Sequence, residues 1–142
     1  ISMFKWKGAS GVCINEDNQV LMVLQPAHDE EPKWTVPSGG LEDNETYEQC
    51  CVREFEEETG LKVEVISKLQ DKSGFNKEYK IEFELQYFQV KVVSGELTLQ
   101  DPDEFILDIG WKSVAELDQL DMCYPEDVEF LKGLLRIGNE IN

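Results

Sequence analysis

The chain has 142 residues, 41% of them hydrophobic, with 30 acidic side chains against 13 basic ones and a formal net charge of -17. This composition supports a folded domain with a real core and excludes a disordered chain. The acidity argues against gripping a polyanion through a basic surface, so direct nucleic-acid binding is not expected.

Ile1 and Ser2 precede Met3 and read as an expression scar, leaving residues 3–142 as the expected single domain. No run is apolar enough to span a bilayer, so no membrane association is expected. No charged-then-apolar leader is present, and Cys13, Cys50, Cys51 and Cys123 contain no CxxC pair. Reduced thiols in a cytoplasmic protein, without zinc, are the expectation.

Strand-like runs cover Ala9 to Ile14 and Gln19 to Leu24, divided by the turn-prone Glu16-Asp17-Asn18. Gln25 to Lys33 reads as a polar loop, followed by a short Trp34-Thr35-Val36 strand that Pro37 ends. A helix is predicted from Thr46, which has capping-box spacing to Gln49. Tyr47, Cys51 and Phe55 form its apolar stripe, and Gly60 suits the left-handed residue that stops it. Cys50 and Cys51 are neighbours on this helix, and only one is expected to face inward.

Leu61, Val63 and Val65 alternate with polar residues, as do Tyr79, Ile81, Phe83, Leu85 and Tyr87. Tyr79 is therefore expected in the core, and Glu82 and Glu84 on an exposed face. The apolar phase flips at Phe88, Val90 and Val92, which predicts a bulge near Tyr87-Phe88. Phe105 to Trp111 reads as a further strand, and Ser113 and Glu116 cap a short helix. Pro125 suits the first turn of a last helix with Val128, Leu131 and Leu135 on one face. The order predicts an α+β or α/β sandwich, a mixed sheet between helices.

Between Gly39 and Leu61 the sequence follows the pattern G-x5-E-x7-R-E-U-x-E-E-x-G-U, where U is apolar. Gly39, Glu45, Arg53, Glu54, Phe55, Glu57, Glu58, Gly60 and Leu61 fill every fixed position. Glu54, Glu57 and Glu58 fall on one helical face, where like charges repel unless a cation neutralises them. Hydrolysis of a phosphoanhydride needs that kind of charge neutralisation and a water held in line. Mg²⁺, which prefers hard oxygen ligands, suits the task.

The pattern is the Nudix box, and the chain resembles the Nudix hydrolases, which cleave nucleoside diphosphates linked to another moiety. The resemblance implies Glu54, Glu57 and Glu58 as metal ligands, joined by the backbone carbonyl of Gly39, with Mg²⁺ as cofactor and Mn²⁺ as a substitute. Glu54 serves as ligand or orients the attacking water. Arg53, four residues before Glu57, fixes a carboxylate rotamer. Glu45 stabilises the helix start or supports the metal from behind its ligands, and Gly60 is structural.

Family members differ in where the general base lies, and Glu104 in the later acidic loop is the candidate for a distal base or extra ligand. The arginine that many members carry after the second strand is replaced by Gln25-Pro26-Ala27-His28. Phosphate contacts are left to metal and to Lys5, Lys7 or Lys33, with His28 a further weak candidate beside Lys33. Phe4, Trp6 and Phe75 are aromatics able to stack on a base.

Asn76 stands where a proline would point to ADP-ribose, and Tyr79 falls roughly where a tyrosine would hint at diadenosine polyphosphates. The expected substrate is a nucleoside triphosphate, a diadenosine polyphosphate or a nucleotide sugar. The alternative is a non-catalytic sensor of the same fold. Many relatives form homodimers, but no interface is legible.

Overall fold

The computed structural model describes residues 5–27, 30–77, 79–99 and 106–141, residues 137–141 by backbone alone. The elements in order are β1 (Lys5–Cys13), β2 (Val20–Ala27), β3 (Glu30–Thr35), β4 (Ser38–Gly40), α1 (Tyr47–Thr59), β5 (Leu61–Asn76), β6 (Ile81–Gly95), β7 (Asp108–Lys112), α2 (Val114–Leu117) and α3 (Asp127–Ile141). One sheet has four strands in the order β4-β1-β6-β5 and the other three in the order β3-β2-β7. The β1–β6 pair is parallel and the rest are antiparallel, making the mixed α+β fold expected from sequence.

Both sheets are buried on two faces, because successive strand side chains point to opposite sides. Ala9, Cys13, Leu21, Phe88 and Val90 meet Phe55 and Cys51 of α1 in one core. Val12, Val20, Met22, Leu85 and Tyr87 meet Leu117, Leu131 and Leu135 in the other. The strands therefore lie between α1 on one side and α2 with α3 on the other, an α/β/α sandwich. No helix among the described residues is long and apolar enough to cross a membrane.

Four sequence expectations are corrected. Gln25 to Lys33 is not a loop throughout: β2 continues to Ala27, and Gln25 pairs with Lys33 across a hairpin. Its polar side chains sit at the sheet rim, where backbone pairing prevails over composition. The phase flip at Phe88 does not come from a bulge in β6, which stays in unbroken register with β1 from Glu82 to Val90. The irregularity at this level lies in β5, between Lys68 and Gln70, opposite Phe88 and Tyr87. Tyr87 and Phe88 are adjacent and both buried because β6 has a core on each face.

Cys50 and Cys51 are both buried as well, at 0% and 2% exposure. Neighbouring helical residues diverge by about 100°, and the covered arc of α1 is wider than that. Cys51 lies against Gly11 of β1, while Cys50 Sγ donates to the Gly39 carbonyl at 3.4 Å. Finally, Tyr79 is exposed rather than in the core, since β6 begins only at Ile81. The last helix starts at Asp127, with Pro125 just ahead of it, and Leu131 and Leu135 are buried as expected.

Candidate active site

Helix α1 begins and ends where its sequence dictates. Thr46 Oγ1 accepts from the Gln49 amide at 3.0 Å and the Gln49 side chain accepts from the Thr46 amide at 2.9 Å, completing the capping box. Gly60 closes the helix with φ 81°, a conformation that L side chains resist. These ends fix the rotation of the helix, and so which carboxylates look toward the glycine-bearing edge strand β4.

Arg53 gathers the site. Its Nε and Nη2 donate to the two oxygens of Glu45 at 2.7 and 2.8 Å, a two-pronged pair. Nη2 also donates to the Gly40 carbonyl at 2.9 Å, and Nη1 donates to Glu54 at 2.6 Å and to Glu57 at 3.3 Å. The Arg53–Glu57 contact expected from the four-residue spacing is thus longer than those to Glu45 and Glu54, and Glu45 is the main partner. Glu45 in turn accepts from the Glu42 amide at 3.0 Å, tightening the loop ahead of the helix. The bond from Arg53 holds the Glu45 carboxyl at about 2, well under its ordinary value. Glu45, chiefly, pushes the Arg53 guanidinium further up, keeping both ionised at any working pH.

Glu54 and Glu58 are buried, and the Glu57 side chain is 40% exposed. The Glu54 carboxylate lies directly on Gly39: a Cβ added there would stand 2.1 Å from Glu54 Cδ. Glu58 Oε1 is 3.4 Å from the Ser38 amide. The structure thus brings Gly39, Glu54 and Glu58 together, with Glu57 joined to them through Arg53. Among the described residues no group of three or more His, Cys, Asp or Glu is gathered tightly enough to hold a metal ion as it stands. Like-charged carboxylates spread apart, and here they lean on Arg53 and a main-chain amide. The donor set still fits a hard divalent cation: carboxylate oxygens beside a glycine whose missing side chain leaves the approach open.

A cleft of about 600 Å³ opens beside β4, with Ser38 and Gly39 in its wall. Gly39 faces Glu54, whereas a Cβ on Gly40 would meet the Trp6 ring. The cleft therefore reaches the glycine on which the Glu54 carboxylate lies. Trp6, Phe83, Tyr124, Tyr79 and Lys33 are among its lining residues, with Gln25 and Cys123. Lys33 Nζ is 3.0 Å from Asp121 and 3.6 Å from Glu30, so it reaches the cleft already paired. Its pKa is raised, chiefly by the bond to Asp121.

His28, Glu104 and Phe4 lie outside the described residues. Phe75 is exposed, and Lys5 is occupied by Glu84 at 3.0 Å. Glu84 is not a bystander on an exposed face: it also accepts from the Tyr47 hydroxyl at 2.6 Å, tying β6 to α1. Sequence reasoning named Trp6 of this lining but missed the Arg53–Glu45 pair and the aromatics Phe83 and Tyr124. Phe83 and Tyr124 carried no signal of their own, because they look like ordinary core positions until the cleft is folded.

The Nudix domain model matches residues 5–134. The chain belongs to the Nudix family. It is 34% identical over 108 residues to the NAD-capped RNA hydrolase NudC of Photobacterium profundum, covering 75% of this chain and 37% of that protein. It is 41% identical over 56 residues to the 8-oxo-dGTP diphosphatase of Proteus vulgaris, covering 39% of this chain and 50% of that one. The chain thus spans about a third of the first relative's length and half of the second's. A Nudix hydrolase structure from Nitrosomonas europaea superposes with a TM-score of 0.77 at 22% identity, covering 94% of this chain and 90% of that one, a likeness of fold.

Proposed function

We propose that this Nudix chain is a Mg²⁺-dependent pyrophosphohydrolase that cleaves a phosphoanhydride in a nucleoside diphosphate derivative. The observation that carries the reading is the seating of Glu54 on Gly39, with Glu58 beside it and Arg53 bridging to Glu57 and Glu45. Glu54, Glu57 and Glu58 are the residues that would hold the cation, with the Gly39 carbonyl as a further oxygen donor. Bound Mg²⁺ supplies neutralisation of the phosphate oxygens and lowers the pKa of water.

The chain's own residues do the rest. Arg53, anchored on Glu45, fixes the directions of the Glu54 and Glu57 carboxylates before substrate arrives, so no reorganisation is needed at the moment of reaction. Glu54, buried next to β4, binds the metal or orients the attacking water, and Glu104 is the candidate distal base or extra ligand. The cleft beside β4 receives the nucleoside, and Lys33 at its rim meets phosphate. The relatives act on 8-oxo-dGTP and NAD-capped RNA by name, and the net charge favours a small nucleotide over an RNA chain.

The test is a panel of nucleoside triphosphates (8-oxo-dGTP included), NAD, diadenosine polyphosphates and nucleotide sugars, with and without Mg²⁺, on wild type and Glu57→Gln. Metal-dependent turnover should fall by orders of magnitude in Glu57→Gln while the fold persists. Equal turnover in both proteins would remove Glu57 from the reaction. Tight binding of one nucleotide with no turnover would favour a sensor.

A further inference from the structure

The cleft contains an aromatic ring with a prepared seat. Trp6 is 36% exposed, which is high for an indole. Even so, it does not hang in solvent. A Cβ on Gly8 would stand 2.3 Å from its Cη2 and 2.8 Å from its Cζ3, and a Cβ on Gly40 would stand 2.9 Å from its Nε1. Gly8 and Gly40 are directly paired across β1 and β4. The indole therefore lies across two neighbouring strands, its benzo edge over one glycine and its pyrrole edge over the other. Any side chain at either position would lift it.

Phe83 is built the same way. It pairs with Trp6 on one side and with Gly74 on the other, and a Cβ on Gly74 would come 2.9 Å from the Phe83 ring. Tyr124 follows, with ring centroids 6.4 Å apart, and is itself capped by Lys72 Nζ at 4.1 Å from its centroid. Bare backbone beneath two rings, and a charged side chain holding a third, give the cleft a rigid aromatic floor.

We propose that the Trp6 indole is the stacking platform for the base of the substrate, and that its two-ring surface selects purine over pyrimidine nucleotides. This rests on the nucleotide reading above. An indole held by backbone loses no rotamer freedom when a base settles on it, and stacking strength grows with shared ring area. β4 links this floor to the carboxylates, because its Gly40 supports the indole and its Gly39 seats Glu54. Base recognition and phosphate positioning are thereby registered through two consecutive residues. Trp6 is a binding residue here and takes no part in the chemistry.

The experiment compares KM and kcat for a purine and a pyrimidine nucleoside triphosphate in wild type, Trp6→Ala and Trp6→Phe. Alongside, Mg²⁺-free binding is followed by the part of the tryptophan emission that Trp6→Phe removes. Trp6→Ala should raise KM for the purine by about 5- to 150-fold, leave kcat within a few-fold, and erase the purine preference. Trp6→Phe should restore part of it, and purine nucleotides should quench the Trp6 emission.

A fall in kcat with KM unchanged, or an equal loss for both bases, would overturn the proposal in favour of a purely structural indole. If nucleotides turn over normally but Trp6 emission and KM ignore the base, stacking fails and the hydrolase reading stands. If purines quench Trp6 and nothing turns over, the hydrolase reading fails and stacking stands.

Discussion

Replacing Gly39 by alanine isolates the placement of one carboxylate. The new Cβ would sit 2.1 Å from Glu54 Cδ, 2.2 Å from its Oε2 and 2.5 Å from its Cγ, where ordinary contact begins at 3.4 Å. The carboxylate must therefore retreat by about 1.3 Å, judged from the Cδ contact. Misplacement of a reacting group by about 1 Å costs roughly 10²-fold in rate. Because the displaced atoms belong to the end of a flexible side chain, the fold should lose only about 1–3 kcal/mol.

The assay is kcat at saturating Mg²⁺ and nucleotide, with a urea melt on the same preparation. Gly40→Ala serves as the contrast, since its Cβ meets Trp6 and not Glu54. It should act on KM more than on kcat. Gly39→Ala with wild-type kcat and a native melt would refute the argument that Glu54 must lie against bare backbone.

Other outcomes follow from the contacts around the site. Glu45→Gln removes the charge from the two-pronged pair with Arg53 and should destabilise by about 1.5–3 kcal/mol. The Glu45 carboxyl is held at about 2, below its free value of 4.5. Its contribution is therefore complete above pH 4.5 and disappears as pH falls toward 2, so wild-type and variant melts should converge in acid. Lys72→Met leaves Asp127, 2% exposed, without the ammonium 2.7 Å away and should cost about 3–5 kcal/mol by urea unfolding. Burial pushes the Cys13, Cys50 and Cys51 thiols up to about 11, 12 and 12. Iodoacetamide at pH 8 should leave these three unlabelled in the native protein and label them promptly in urea, as read by mass spectrometry.

What the sequence determined by itself is what short-range rules can reach. The capping box at Thr46, the stop at Gly60 and the shared face of Glu54, Glu57 and Glu58 follow from hydrogen bonds and spacings of four residues or fewer, which no distant contact had to approve. The same holds for the caps of α2 and the apolar face of α3. The tertiary structure decided which surfaces meet. Arg53 spans Glu57 on its own helix, yet its best partner is Glu45, eight residues back, because the loop before α1 folds over the guanidinium.

Cys50 and Cys51 are both hidden because β4 closes a flank that the helix alone would leave open. Tyr79, with a core-like period, ends outside because its strand begins two residues later. Trp6 and Gly40, 34 positions apart in the chain, become one surface only when β1 and β4 pair. Local chemistry sets the carboxylates in a row. Strand pairing, a long-range and cooperative choice, sets them beside an aromatic cleft.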